Sequence, residues 1–510
     1  MTINDYSETN RSPKRKVGML TVFRLGLFNM ALGLMAVLTL AVLNRVMISE
    51  LGVPATITAG VLALSQFVAP ARVWFGQLSD SKPLFGRYRT GYIRLGAMVF
   101  STAIFLAVQA VWQLGAIVRD NQGWIWDTQT IAWSLILGLI MAIYGLAISA
   151  SSIPFTALLV DISEEETRSK LVAIVWSMLM VGIVIGGISG SILLKNINPG
   201  GVEAGQIPLE NLQAPINSIF AIVPFVVIAL TLIATWGVEK KYSRFRDRIN
   251  NGIREDSITL GDSLKVLTSS RQTAIFFSFL CLITISLFMQ EAVLEPYGGE
   301  VFGMSIADTT QLNANWGIGI LIGYSLTGFL IVPRLGKKLT TKLGCLLVAG
   351  SFGLIILSGF TQEANILKLA VVLFGAAAGM ATIGSISLML DFTLAETAGT
   401  FIGAWGLAQA MSRACATLIG GIILDITRAI FTIPLIAYGS VFALQAIGMI
   451  VAVLMLNRID IKEFKDNTGQ AIATVMEGDL DILKDTAPRH EVSPLGHIIS
   501  YQLFQNLEKT

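Results

Sequence analysis

The sequence predicts an all-α membrane protein of twelve transmembrane helices arranged as two six-helix halves. Three observations predict it. Apolar runs repeatedly reach the roughly 20 residues that cross a bilayer as a helix. Only 14% of the 510 residues are charged and 54% are hydrophobic, with a mean hydropathy of +0.69; a soluble chain carries about 25% charge. Lysine and arginine collect on alternate loops. No strand-like alternation suggests a membrane barrel.

The spans fall near residues 20–43, 56–79, 92–114, 131–160, 171–194, 217–237, 273–290, 311–332, 342–360, 366–390, 400–424 and 433–456. They divide the chain into a polar N-terminal segment (1–19), a first bundle (20–238), a linker (239–272), a second bundle (273–457) and a polar tail (458–510). The segment MTINDYSETNRSPKRK lacks a signal-peptide pattern, and the apolar run after it is too long for one. With that segment inside, the inner loops hold Lys82, Arg87, Arg89, Arg168, Lys170, the dense basic set from Lys240 to Arg271, Arg334, Lys337 and Lys338. The outer loops hold little beyond Arg45, Arg119, Lys195 and Arg428. Both termini are therefore expected on the cytoplasmic side, or the stromal side in a thylakoid. A net charge of +2 gives no reason to expect a nucleic-acid partner.

Between spans two and three stands GQLSDSKPLFGRYRT. A glycine, an aspartate and a Gly-Arg-x-Arg cluster in this loop resemble a signature of the major facilitator superfamily. Asp80, Arg87 and Arg89 are the candidates for an ionic latch on the inner face; the competing reading is topology alone. The equivalent stretch in the second half has Val332 in place of the acid, so a latch should be stronger in the first half. Trp124 and Trp126, in the loop before span four, suit an interfacial belt. In span five, Gly182, Gly186 and Gly190 clear one face for close packing, or for a flat ligand as a lesser reading.

Two stretches echo each other. Asp161, Glu166 and Thr167 match Asp391, Glu396 and Thr397 at one constant offset, and Gly145 matches Gly375 at the same offset. Trp176 matches Trp405 after a one-residue gap. Such internal repeats are a common build for transporters. Asp161, Asp391 and Glu396 accordingly join the inner-face gating candidates.

Span seven runs into MQEAVLEPYGGEVFGMS. Glu291 and Glu295 stand four apart, on one helical face, and Pro296, Gly298 and Gly299 are expected to break the helix. The two acids are either a solvated helix end or a site that meets a cation or magnesium centre. Span eleven carries small residues from Gly403 to Gly421, and Arg413 at its middle is expected to face the bundle interior, with Gln409 one turn before it. Arg72, about 12 Å along the helix from Asp80 at about 1.5 Å per residue, either snorkels or faces inward. Cys281, Cys345 and Cys415 sit in apolar runs without metal-ligand spacing, and both histidines, His490 and His497, lie in the tail.

ALLVDISEEETRSK, EPYGGEVFGMS and GAWGLAQAMSRACATLIGGIILD together resemble the bacteriochlorophyll-delivery branch of the major facilitator superfamily. This is the PucC- and LhaA-like group of light-harvesting assembly proteins, which has cyanobacterial members. The likeness covers roughly residues 17–457. It implies the twelve-helix fold and a place in the thylakoid or photosynthetic inner membrane. It also implies chlorophyll or bacteriochlorophyll as a bound ligand, and lipid, light-harvesting or photosystem apoproteins and pigment-synthesis enzymes as partners. No catalysis and no resident metal are expected. The candidate pigment or partner site comprises Glu291, Glu295, Arg413, Gln409, Trp405 and Trp176. An ion-coupled facilitator for a small solute and a pigment-free scaffold are the alternatives.

Overall fold

The computed structural model describes residues 17–163, 165–195, 207–243, 271–391 and 398–459. Among these, helices supply every extended element, and the sole β contact is a bridge between Leu84 and Arg87. In the first half the spans are Met19–Glu50, Ala55–Phe67 continued by Ala71–Ser81, Thr90–Asp120, Thr128–Ile162, Glu165–Leu194 and Leu209–Tyr242. In the second half they are Arg271–Phe288 continued to Phe302, Ile306–Leu335, Lys337–Thr361, Ala364–Asp391, Ala398–Ile430 and Pro434–Asn457. They are called spans one to twelve below. The end carrying Lys82, Arg87, Arg89 and Lys337 is called the basic end, and the opposite one the far end.

Several spans outrun their expected bounds. Span one continues through two widened π turns, Leu38–Leu43 and Val46–Glu50, so Arg45 is buried inside the helix rather than placed in an outer loop. Arg119 and Arg428 are likewise drawn into the ends of spans three and eleven. Span two is interrupted at residues 68–70. Pro70 has no N–H to donate, and the chain crosses the gap with tight turns from Ala71 to Val68 and Arg72 to Ala69.

Span seven corrects an expectation. Pro296, Gly298 and Gly299 do not break the helix; they lie inside Leu294–Phe302. The irregularity comes earlier, as a 3-10 turn at Met289–Ala292. Pro296 stands in the first turn of the helix that follows, where its missing donor has no intrahelical partner to lose. The helix ends instead at Gly303, whose φ of 65° is left-handed. Glu291 and Glu295 therefore sit on consecutive elements, not on one face of one helix. Both are buried, 8% and 3% exposed, which removes the solvated-end reading.

Two contacts recur in equivalent places. Gly145 of span four lies on the Ser65 backbone of span two, and Gly375 of span ten lies on Trp316 of span eight. Gly182 of span five lies on Met30 of span one, and Gly420 of span eleven on Met289 of span seven. Gly182 and Gly186 are covered by the backbone of span one, so that face holds a helix and leaves no flat surface for a ligand. Gly76 meets only an ordinary contact with Ile153 and is not forced by packing.

The second half is centred on an aromatic core. Tyr297, Phe352, Phe374 and Phe442 are fully buried, and the Tyr297 hydroxyl donates to the Ile355 carbonyl at 2.8 Å. That bond fixes the short helix of span seven against span nine. Leu135, Leu139, Phe225 and Leu357 point outward as lipid-facing residues do. In the loop before span four, Trp124 and Trp126 make an edge-to-face pair with ring centroids 5.4 Å apart. Just after it Asp127 caps span four, and the Thr130 hydroxyl and amide hold its carboxyl below its ordinary range.

Candidate functional site: a charged seam between the halves

At the far end the halves are tied by polar groups. Asn44 in span one donates its amide to the carbonyls of Glu291 and Ala292, at 3.2 and 3.1 Å. The 3-10 turn exposes those carbonyls, because its residues do not complete α-helical bonds. Ser49 donates to Glu300 at 3.0 Å. Asp425 in span eleven accepts the amides of Ala55 and Thr56, at 3.0 and 2.7 Å, and so caps span two from the opposite half. Arg45 is paired with Glu50 at 3.2 Å and lies over Gly299, where any Cβ would collide with its guanidinium. Glu300 also receives Arg428 at 2.7 Å, and Arg428 donates to the Tyr438 hydroxyl at 2.5 Å.

Toward mid-membrane, Arg413 clasps Glu291 with two nitrogens; its Nε–Oε2 distance is 3.1 Å. Its guanidinium also stacks 4.4 Å from the Phe288 ring centre. The Glu291 side chain is 8% accessible, whereas that of Arg413 is 35% accessible even though it stands at the middle of a span. An accessible guanidinium at that depth marks an opening between helices. Asn313 donates to Glu295 Oε1 at 2.8 Å, and the second oxygen, Oε2, is buried without a donor. The indole N–H groups of Trp316 and Trp405 are also buried without acceptors. A groove of about 450 Å³ lies between spans two and four, lined by Ile57, Gly60, Leu64, Ser134 and Gly138. Its size falls within the roughly 300–1,000 Å³ of small-molecule sites.

At the basic end Arg89 is the hub. It reaches Asp80 at 2.5 Å, Asp161 at 3.0 Å and the Ser79 hydroxyl at 2.7 Å. Glu239, at the end of span six, accepts the amides of Tyr88 and Thr90, each at 2.7 Å, capping span three. Arg87 makes no side-chain hydrogen bond or ion pair among the described residues.

The structure thus brings Glu291 and Arg413 together, and separately Asp80, Arg89 and Asp161. It sets Trp176 apart, 54% exposed on span five. Gln409 and Trp405 lie half-buried on span eleven. The side chains of Glu166, Thr167 and Asp391, and all of Glu396, lie outside the described residues, as do residues 244–270 of the linker and both histidines. Sequence reasoning missed Asn44, Glu50, Glu239, Glu300 and Asp425. Charged residues at the ends of apolar runs were the available signal, but they read as loop residues.

Twelve apolar spans around a polar seam define a helical membrane protein of the major facilitator fold. Solved structures agree on that fold. The nucleoside transporter NupG aligns with a TM-score of 0.61 and 14% identity, over 86% of this chain and 99% of that one. A bacterial homologue of the iron transporter ferroportin, in an inward-facing state, also scores 0.61, at 12% identity over 87% and 99%. The chain belongs to the family described as PUCC protein, which matches residues 42–464. The Rhodobacter capsulatus protein called "Bacteriochlorophyll synthase 44.5 kDa chain" is 30% identical, over 86% of this chain and 95% of its own. "Protein PucC" of Cereibacter sphaeroides is 26% identical, over 86% and 90%.

Proposed function

We propose that this chain binds a chlorophyll-type pigment and delivers it to light-harvesting or photosystem apoproteins, without chemical change to the pigment. The observation that carries this reading is an apolar groove of about 450 Å³, open on its lipid-facing side between spans two and four. Such a surface suits an amphiphile with a large apolar body and a few oxygen atoms. The names of the relatives narrow the amphiphile to a pigment. The spans contain no histidine, so a pigment magnesium would take an oxygen ligand. Gln409, half-buried on span eleven and without a side-chain hydrogen bond among the described residues, is the candidate donor of that kind; Glu295 Oε2 is enclosed.

Gentle solubilisation from a photosynthetic host tests the reading. Pigment absorption should co-elute with the protein, and Gln409→Ala should lower the pigment-to-protein ratio. Colourless protein that still supports complex assembly favours a scaffold. Solute uptake by pigment-free vesicles favours a facilitator, for which the fold is equally suited.

We further place both termini on the cytoplasmic or stromal side of a photosynthetic membrane. A cysteine at Asp120 should react with an impermeant reagent from the opposite side, and one at Gly252 should not. The reverse pattern inverts the topology.

A further inference from the structure

We propose that Glu295 is a proton-binding latch between the halves. With the far-end seam closed its carboxyl is protonated at Oε2, beside the Asn44 amide of span one, and loss of that proton loosens the seam. This goes beyond pigment handling and holds whatever the cargo is.

The argument begins with two oxygens that lack donors. Glu295 is 3% exposed and Asn44 is fully buried. Glu295 Oε1 accepts from Asn313 at 2.8 Å, while Oε2 is buried with no donor. Asn44 spends its amide nitrogen on the carbonyls of Glu291 and Ala292, at 3.2 and 3.1 Å, and its Oδ1 is likewise buried with no donor. Those carbonyls belong to the turn just before Glu295. Cβ bonds tilt toward the N-terminus of a helix, so the Glu295 side chain leans back over the turn that holds Asn44. Two oxygen acceptors enclosed at one turn repel each other. A proton on Oε2 turns one of them into a donor to the other.

The surrounding charges offer Glu295 no cation. Among the described residues, Arg45 of span one pairs with Glu50 at 3.2 Å. Arg413 of span eleven pairs with Glu291, and Arg428 of the same span with Glu300 at 2.7 Å. Asp425 is taken up by the amides of Ala55 and Thr56. Span eight adds Asp308, which stands 4.0 Å from Lys368, and span twelve adds Tyr438, which accepts from Arg428. Each of these cations has its own carboxylate, so an ionised Glu295 would be a surplus negative charge in the interior. A buried charge without a partner neutralises instead. Asn44 comes from the first half and Glu295 from the second, so the proton acts at a contact between halves. Ionisation would set a carboxylate against Asn44 Oδ1 and strain the two bonds that Asn44 makes across the seam.

The experiment follows the seam as pH changes. In protein freed of Cys281, Cys345 and Cys415, nitroxides on cysteines at Asp120 and Glu363 report the separation of the halves by pulsed electron resonance. Both positions are exposed at the far end, one in each half. From about pH 5 to about pH 10, a range that takes in buried carboxyls, the wider-separation population should grow as pH rises, because closing takes up a proton. A single proton limits that growth to about ten-fold per pH unit. Glu295→Gln, whose amide donates to Asn44 Oδ1 as the protonated acid does, should stay closed across the range. Asp308→Asn should respond as the parent does. In the infrared difference spectrum, an acid carbonyl band should vanish from the parent as the separation widens, and Glu295→Gln should lack that change. A parental separation that ignores pH overturns the proposal. So does a pH response that survives in Glu295→Gln, or a Glu295→Gln protein that is open throughout. Closure that depends on sodium at fixed pH overturns the assignment to a proton. If Glu295→Gln fails to fold, Glu295→Met, which removes the charge without supplying the hydrogen bond, must lose the pH response instead. If neither folds, an infrared band that persists while the halves separate overturns the proposal.

Discussion

Arg413→Leu is expected to destabilise the folded protein by about 3 kcal/mol, the lower end of what breaking a buried ion pair costs. Glu291→Gln should cost clearly less. The asymmetry follows from accessibility. Removing the arginine strands a carboxylate that is 8% accessible. Removing the carboxylate strands a guanidinium that is 35% accessible and still rests on Phe288. The double variant should recover part of the Arg413→Leu loss, because it leaves no unpaired buried charge. Thermal melting and folded yield in detergent measure all three. Equal losses in the two single variants, or no recovery in the double, would show that the pair does not act as a unit.

Much of this arrangement was legible in the sequence, and the illegible part has a common cause. Arg413 stood out because a cation amid an apolar run is expensive and demands an interior partner. Which partner it takes was not legible, since Glu291 is 122 residues away and pairing at that distance is set by the fold. Helix periodicity placed the spans, but it cannot see where a helix changes pitch. The 3-10 turn at Met289–Ala292 moved Glu291 and Glu295 off a common face and turned Pro296 from a breaker into a first-turn residue. The π turns of span one did the same for Arg45 and Glu50, which hydropathy had left in a loop.

The small residues show the opposite case. Gly145 and Gly375 matched at one offset in the sequence, and each sits where two helix backbones touch. Close approach forbids a side chain whatever the surrounding sequence, so this constraint stays visible at low similarity. At the basic end, Asp80 and Arg89 were readable as a local motif. The cap from Glu239 was not, because it comes from a different helix.

Gly421→Leu is expected to hold the halves apart at the far end. A Cβ at Gly421 would stand 2.5 Å from the Ala55 carbonyl oxygen and 2.5 Å from the Ala59 Cβ, so the backbone itself must move. Those atoms belong to span two, whose first amides Asp425 caps from one turn further along span eleven. The added side chain therefore acts on a junction that carries both packing and hydrogen bonds. Overpacking of this kind costs about 1–3 kcal/mol, which converts to an open population larger by roughly five-fold to somewhat over a hundred-fold. Ile48 reports it: it comes from the first half yet is buried, 4% exposed, in the core of the second. In a background cleared of Cys281, Cys345 and Cys415, a cysteine at Ile48 should label faster by that factor when Gly421→Leu is added. Asp425→Ala should raise the rate in the same direction by less, since it removes the cap without forcing the helices apart. Folded Gly421→Leu protein that labels at the parental rate would mean that the two halves do not separate at this junction.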